Sequence, residues 1–326
     1  MVLQTRGSSG EMRCAMDKSI VQNGEAVFTE EDFRPAPKER GRKDDFRSRN
    51  SFYGIKYLLK ENRLASVCIA ALLLILLSAI LAPLSPYDPD ALDIQNALQG
   101  PGPGHLLGTD DLGRDTLTRA LYGGRVSLAV GFAAMAVSVL AGTLLGTVSG
   151  YVGGKTDTVL MRIVDIFLSI PNLLFIIVIY AFVQPSLTVL VLMLAFFSWT
   201  GVARVVRAET LSLKQRDFVI AAKCLGVSDV KIIMRHIIPN MSSQIIVSAS
   251  ISIARAILDE SALSFLGYGV RLPMSSWGSM LQNAQKYILH EPLLAVVPGV
   301  LILVTVLCFN ILGDMLQHAL DPKLTK

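Results

Sequence analysis

The stretch FVIAAKCLGVSDVKIIMRHIIPN, Phe218 to Asn240, is the one long charged segment between apolar runs in the C-terminal half. Asp217 is placed to cap a short helix from Phe218 to Leu225, with the small pair Ala221 and Ala222 at its centre. Gly226 suits a left-handed helix end. Ser228 and Asp229 read as the cap and first turn of a second helix, which Pro239 is expected to stop. Two short helices at a sharp angle, with alanines exposed at the bend, make a compact knob. Such a knob fits a groove on a partner protein at a membrane surface.

The membrane follows from what flanks the knob. Apolar residues make up 52% and charged ones 17% of the 326 residues, far from a soluble average. Apolar runs of about 20 residues recur, each long enough to cross a bilayer core. The spacing predicts an all-α polytopic membrane protein with six spans: 64–84, 126–148, 158–183, 187–202, 241–265 and 293–312. Before them, residues 1–63 read as a cytoplasmic N-terminal tail, and no cleavable signal peptide is visible. Residues 34 to 63 hold ten Lys or Arg against four acids, which orients the N-terminus inside and favours lipid headgroups over nucleic acid as the partner.

Charge then alternates with the spans. Residues 85–123 carry six acids and two bases, Arg114 and Arg119, as expected of an external loop. Its end reads as a turn at Gly108, a short amphipathic helix and a stop at Gly123-Gly124. Gly142, Gly146 and Gly150, four apart, predict a close helix–helix seam. SGYVGGKT, residues 149–156, misses a phosphate-binding loop, because Ser149 stands where glycine is needed and membrane spans flank it. It reads as a Gly-rich turn on the inner side. Arg162 and Asp165, three apart, are expected to pair, and Pro171 to kink the third span. From Arg204 to Pro239 there are seven Lys or Arg against three acids, so segment 204–240 with its knob belongs in the cytoplasm. In the fifth span Arg255 either pairs with Asp259 at a spacing of four or faces a cavity and meets an acidic group of a cargo. Trp277 is expected to anchor an external loop at the interface.

Four places along the chain resemble the C-type permease of oligopeptide, dipeptide and nickel ABC importers. The first is the knob, similar to that family's Glu-Ala-Ala, three residues, Gly, longer gap, Pro pattern through Ala221, Ala222, Gly226 and Pro239. Ile220 stands where the family has an acid, and His236 where it has an apolar residue. The others are HLLGTDDLGRDTLTRALYGGRVSL (105–128), ESALSFLGYGVRLPMSSWGSML (260–281) and GDMLQHALDPKLTK (313–326). The resemblance implies the type I ABC-importer permease fold and a multi-pass place in the cell (inner) membrane, both termini cytoplasmic. It implies as partners a second permease subunit of similar fold, two cytoplasmic ATPase subunits and an extracytoplasmic substrate-binding protein. It places Ala221, Ala222 and Gly226 in an ATPase groove.

No catalytic set emerges: the four histidines fall on different loops and ends, and no hydrolase or metalloprotease motif is present. Four scattered cysteines lack metal-ligand spacing. No metal ligand and no cofactor is expected in this chain, ATP being used by partner subunits. A secondary transporter predicts two inverted halves and buried ion-coupling acids, and neither is found. Peptides are the favoured cargo, with nickel or another small solute the alternative.

Overall fold

The computed structural model describes residues 63–184, 186–271 and 273–320, with side chains up to residue 317. The tail 1–62, with its basic run and Cys14, and the last six residues lie outside the described residues. The described residues fold into helices and loops. They are α1 (Arg63–Ile80), α2 (Thr116–Val152), α3 (Gly154–Ser169), α4 (Asn172–Tyr180), α5 (Leu187–Lys214), α6 (Asp217–Cys224), α7 (Asp229–Ile232), α8 (Ser242–Phe265), α9 (Trp277–Ala284) and α10 (Leu293–Leu320). Among the described residues five helical stretches are long and apolar enough to cross a membrane, and the bent pair α3–α4 reaches that length and apolarity when its two helices are taken together. The pair turns by 79° at Pro171, where the proline ring ends α3 and starts α4.

Local chemistry sets where these helices begin and end. Asp115 caps α2 by accepting from the Thr118 N–H at 2.7 Å, and Ser186 caps α5 through the Val189 N–H at 3.2 Å. Ser276 and Ser279 form a reciprocal capping box at the head of α9. Gly153 and Gly154, both at positive φ, make the turn expected between the second and third spans.

At the centre lies the pair α2 and α5, and glycine is the reason they meet. A Cβ on Gly142 would stand 2.6 Å from the Val202 Cβ. One on Gly146 would stand 2.5 Å from the Ala203 carbonyl oxygen, and one on Gly150 2.9 Å from that of Arg207. The expected seam is therefore present, and its partner is α5. Three buried clusters extend from it. One joins α1, α2, α8, α9 and α10 through Ile75, Leu128, Ile257, Trp277 and Val306. A second joins α2, α4, α5 and α8 through Val130, Ile176, Leu194 and Leu263. The third sits under the knob.

Two expectations are corrected here. Gly123 and Gly124 do not stop a helix: α2 runs through both without a break for 37 residues. Their missing side chains leave room for Trp277, whose ring would lie 3.0 Å from a Cβ on Gly124. Trp277 is accordingly buried, with its indole N–H donated to the Ala120 carbonyl at 2.9 Å, and is no interfacial anchor.

Residues 85–115 fold back onto the Thr116 end of α2. Gly108 and Gly113 hold positive φ where a Cβ would strike the Gln99 and Asp93 carbonyls. Asp110 receives the Arg114 side chain at 2.8 Å and approaches Arg119 at 3.5 Å, while Arg119 also donates to the Pro89 carbonyl at 3.0 Å. Both bases of this acid-rich segment are thus engaged by its own acids.

Candidate functional site

The knob of the sequence forms, with altered details. Its first helix is α6, Asp217–Cys224, and Gly226 ends it at φ +75°. Asp217 is the first helical residue and does not cap; Arg216 holds that position. Ser228 precedes α7 without a side-chain cap bond. Nor does Pro239 stop the second helix. After α7 the chain passes through a π turn, Ile233–Ile237, and a 3-10 turn, Ile238–Met241, and enters α8 directly. The wider turn relieves the clash a proline ring makes with the preceding helix.

The two alanines face opposite ways. Ala221 is exposed, whereas Ala222 is buried with Val219, Ile232 and Ile237 against Tyr151, Val202 and Val206. Only one alanine is therefore at the surface; the other belongs to the foot. The exposed side carries Phe218, Ile220, Leu225, Val230 and Met234, with Leu225 84% and Val230 72% accessible. An apolar tip of this kind on a charged segment is what a docking partner covers.

Polar contacts fix the foot. The Tyr151 hydroxyl donates to Asp229 at 2.6 Å, and the Lys214 ammonium donates to the Tyr151 carbonyl and lies over its ring. Arg207 grips Asp157 with two bonds of 2.5 and 2.6 Å, and Ser149 donates to the same carboxylate at 2.5 Å. Asp165 pairs with Arg204 at 2.7 Å, not with Arg162 as the spacing suggested, because Arg204 reaches it from the neighbouring helix. These bonds tie α2, α3, α5 and α7 together around the knob.

Within α8, Arg255 approaches Asp259 at only 3.9 Å, and its side chain is 66% accessible. A guanidinium facing lipid mid-span would cost about 2.5 to 3.5 kcal/mol. One residue on, Glu260 is wholly buried. It accepts from Ser264 at 2.7 Å and Ser127 at 3.0 Å. Ser127 in turn accepts from the Trp277 backbone N–H at 3.2 Å. One carboxylate thus links α2, α8 and the head of α9.

The family model described as binding-protein-dependent transport system inner membrane component matches residues 142–326, which include the knob, α8 and α9. The chain belongs to the binding-protein-dependent transport permeases. A second model, the N-terminal transmembrane domain of oligopeptide transport permease C, matches residues 57–101 of this permease. The oligopeptide transport system permease protein OppC of Bacillus subtilis is 37% identical over 268 residues, covering 82% of this chain and 88% of the relative. The dipeptide permease DppC of Alkalihalophilus pseudofirmus is 42% identical over 267 residues, with the same coverage of each. The glutathione permease GsiD of Pectobacterium atrosepticum is 39% identical, covering 82% and 89%. A solved inward-facing MetNI methionine ABC transporter chain superposes with a TM-score of 0.54 at 17% identity, over 62% of this chain and 97% of that one. That likeness bears on the fold, which is the type I importer permease fold.

Ala221, Ala222, Gly226 and Pro239 come together in the permease's knob, while Arg255 and Asp259 lie on α8, outside it. Sequence reasoning missed Tyr151, Asp157 and Lys214, which hold the foot. It also missed the Glu260–Ser127–Trp277 chain. Glu260 and Ser264 are visible as an i, i+4 pair, but nothing local signals that Ser127, 133 residues away, completes the site.

Proposed function

We propose that this permease is the C-type half of the path of an ATP-driven importer of oligopeptides or dipeptides. The observation that carries the reading is the knob, whose foot is bonded to α2 through Tyr151 and Asp229 and packed on α5 at Val202 and Val206, while its apolar tip stays exposed. A partner gripping that tip moves the helices rather than bending the loop. In this reading two cytoplasmic ATPase subunits take the tip, including Ala221 and the Gly226 turn, into their grooves. A second permease subunit completes the path, and an extracytoplasmic binding protein delivers cargo. Segment 204–240 and both termini are cytoplasmic and residues 85–123 external, consistent with the charge excess of each. ATP is hydrolysed by the partners, and this chain holds no cofactor and performs no catalysis.

The energetic demand is definite. Switching a path from 1:99 to 99:1 between its two facings takes about 5.5 kcal/mol of differential binding, which closure of two ATPases on ATP supplies. Arg255, exposed beside Asp259, faces the water-lined path and meets acidic groups of the cargo. Peptide cargo is supported by the names of the relatives, which handle oligopeptides, dipeptides and glutathione. The test is co-purification of the tagged chain from its native membrane. Recovery of a second permease and ATPase subunits is expected, and a transport-active chain without an ATPase overturns the reading.

A further inference from the structure

We propose that Arg271, Gln282 and Asn283 form a site for the C-terminal carboxylate of a peptide at the outer end of this permease. The assignment rests on the peptide-import reading, with the Thr116 end of α2 outside. The pocket lies between the loop that leaves α8 and the side of α9. Its volume is about 400 Å³, and Val270, Met274 and Ser279 complete the lining with Gly267. That size falls within the range of small-ligand sites.

The turn at Gly267 and the α9 wall are fixed before any ligand arrives. Gly267 turns the chain at φ +88°, donating its N–H to the Ser264 carbonyl at 3.0 Å, and the Tyr268 N–H donates to Leu263 at 2.8 Å. A Cβ on Gly267 would stand 3.0 Å from the Gln282 side-chain nitrogen, so glycine here lets the carboxamide close against the turn. The opposite wall, α9, is held at its head by the buried Trp277 and, through Ser127, by Glu260. A wall set in advance lowers the ordering cost of binding.

The chemistry selects the ligand. A guanidinium presents a planar fork of donors that matches a carboxylate. The carboxamides of Gln282 and Asn283 offer both donors and acceptors, suited to the outer lone pairs of the carboxylate and the last peptide N–H. Val270 and the adaptable Met274 provide an apolar side that tolerates varied side chains. Among the described residues Arg271 has no acidic partner, in contrast to Arg114 and Arg119 at the same end, which Asp110 engages. It is an exposed cation ready for an incoming anion.

The experiment uses the complete importer, with its ATPases and binding protein, in vesicles. Initial uptake is measured for one alanine tripeptide as the free acid and as its C-terminal amide. The readout is the ratio of the two uptake efficiencies, in which any preference of the unchanged binding protein cancels between variants. Arg271→Gln is expected to lower the acid-over-amide ratio about tenfold, the loss of one charge-assisted contact, and Arg271→Lys to restore part of it. An unchanged ratio overturns the site. An equal loss for both peptides with weaker capture of the binding protein assigns Arg271 to docking, and also overturns it. Failure of the unsubstituted importer to take up either form of the tripeptide, and of alanine di- and pentapeptides run beside it, removes the peptide-import reading itself, and the site with it.

Discussion

Gly226 holds a left-handed conformation in open space, with no atom within 4 Å of where a Cβ would stand. A side chain there meets no steric wall, so the penalty is backbone strain of about 1 to 2 kcal/mol, confined to the knob. A chain carrying Gly226→Val is therefore expected to reach the membrane at normal levels, while the importer built on it hydrolyses ATP without matching uptake. Normal uptake by that variant would remove the coupling role. Tyr151 tests the foot instead. Tyr151→Phe deletes the bond to Asp229 at a cost of about 1 kcal/mol while keeping the ring under Lys214. Uptake per ATP should fall with only a slight drop in thermal midpoint; a large stability loss with unchanged coupling would make the bond merely structural. Glu260 is the third case. Glu260→Leu leaves the buried Ser127 and Ser264 hydroxyls without their acceptor, at about 1 to 3 kcal/mol for each stranded group. Glu260→Gln keeps an acceptor and should unfold near the original protein in detergent, so equal loss in both variants would argue against the hydrogen-bond account.

Among the elements, the α2–α5 seam depends most on residue size. Gly146→Val pushes a branched side chain into the Ala203 carbonyl and the Val206 Cβ, and overpacking of that kind costs about 1 to 3 kcal/mol. Gly201, on α5 with nothing within 4 Å, provides the contrast: Gly201→Ala should be neutral or slightly stabilising. Thermal unfolding of the two variants side by side checks this, and equal midpoints would refute the seam. The seam was legible in the sequence because small residues four apart have one structural use in a span. The spans, the bend at Pro171 and the left-handed Gly226 were legible for equally local reasons. What could not be read was long-range. Gly123-Gly124 looked like a stop because pairs of glycines usually are, and only Trp277, more than 150 residues on, shows them to be a socket. Pro239 looked like a stop because a proline removes one helical bond, and a π turn absorbed the loss. Ala222 looked exposed because its burial depends on Tyr151 and Val202, which no spacing within the knob reveals.

At the scale of the whole molecule, the knob and the proposed peptide site stand at opposite ends of the same helix. Tyr151 forms part of the knob's foot, and the Thr116–Ala120 end of α2 supports α9. Between them α2 is unbroken over about 55 Å, and it packs on α5 both at the glycine seam near the inner end and further out, where Val130 and Ala134 lie with Leu190, Leu194 and Phe197. A rod held at both places moves as one body. Spin labels at the two ends should therefore report similar displacements on ATP binding; a shift confined to the Tyr151 end would mean that α2 bends instead. In the proposed importer a displacement at the ATPase side is thereby handed whole to the far side, so α2 works as a pushrod between fuel and gate.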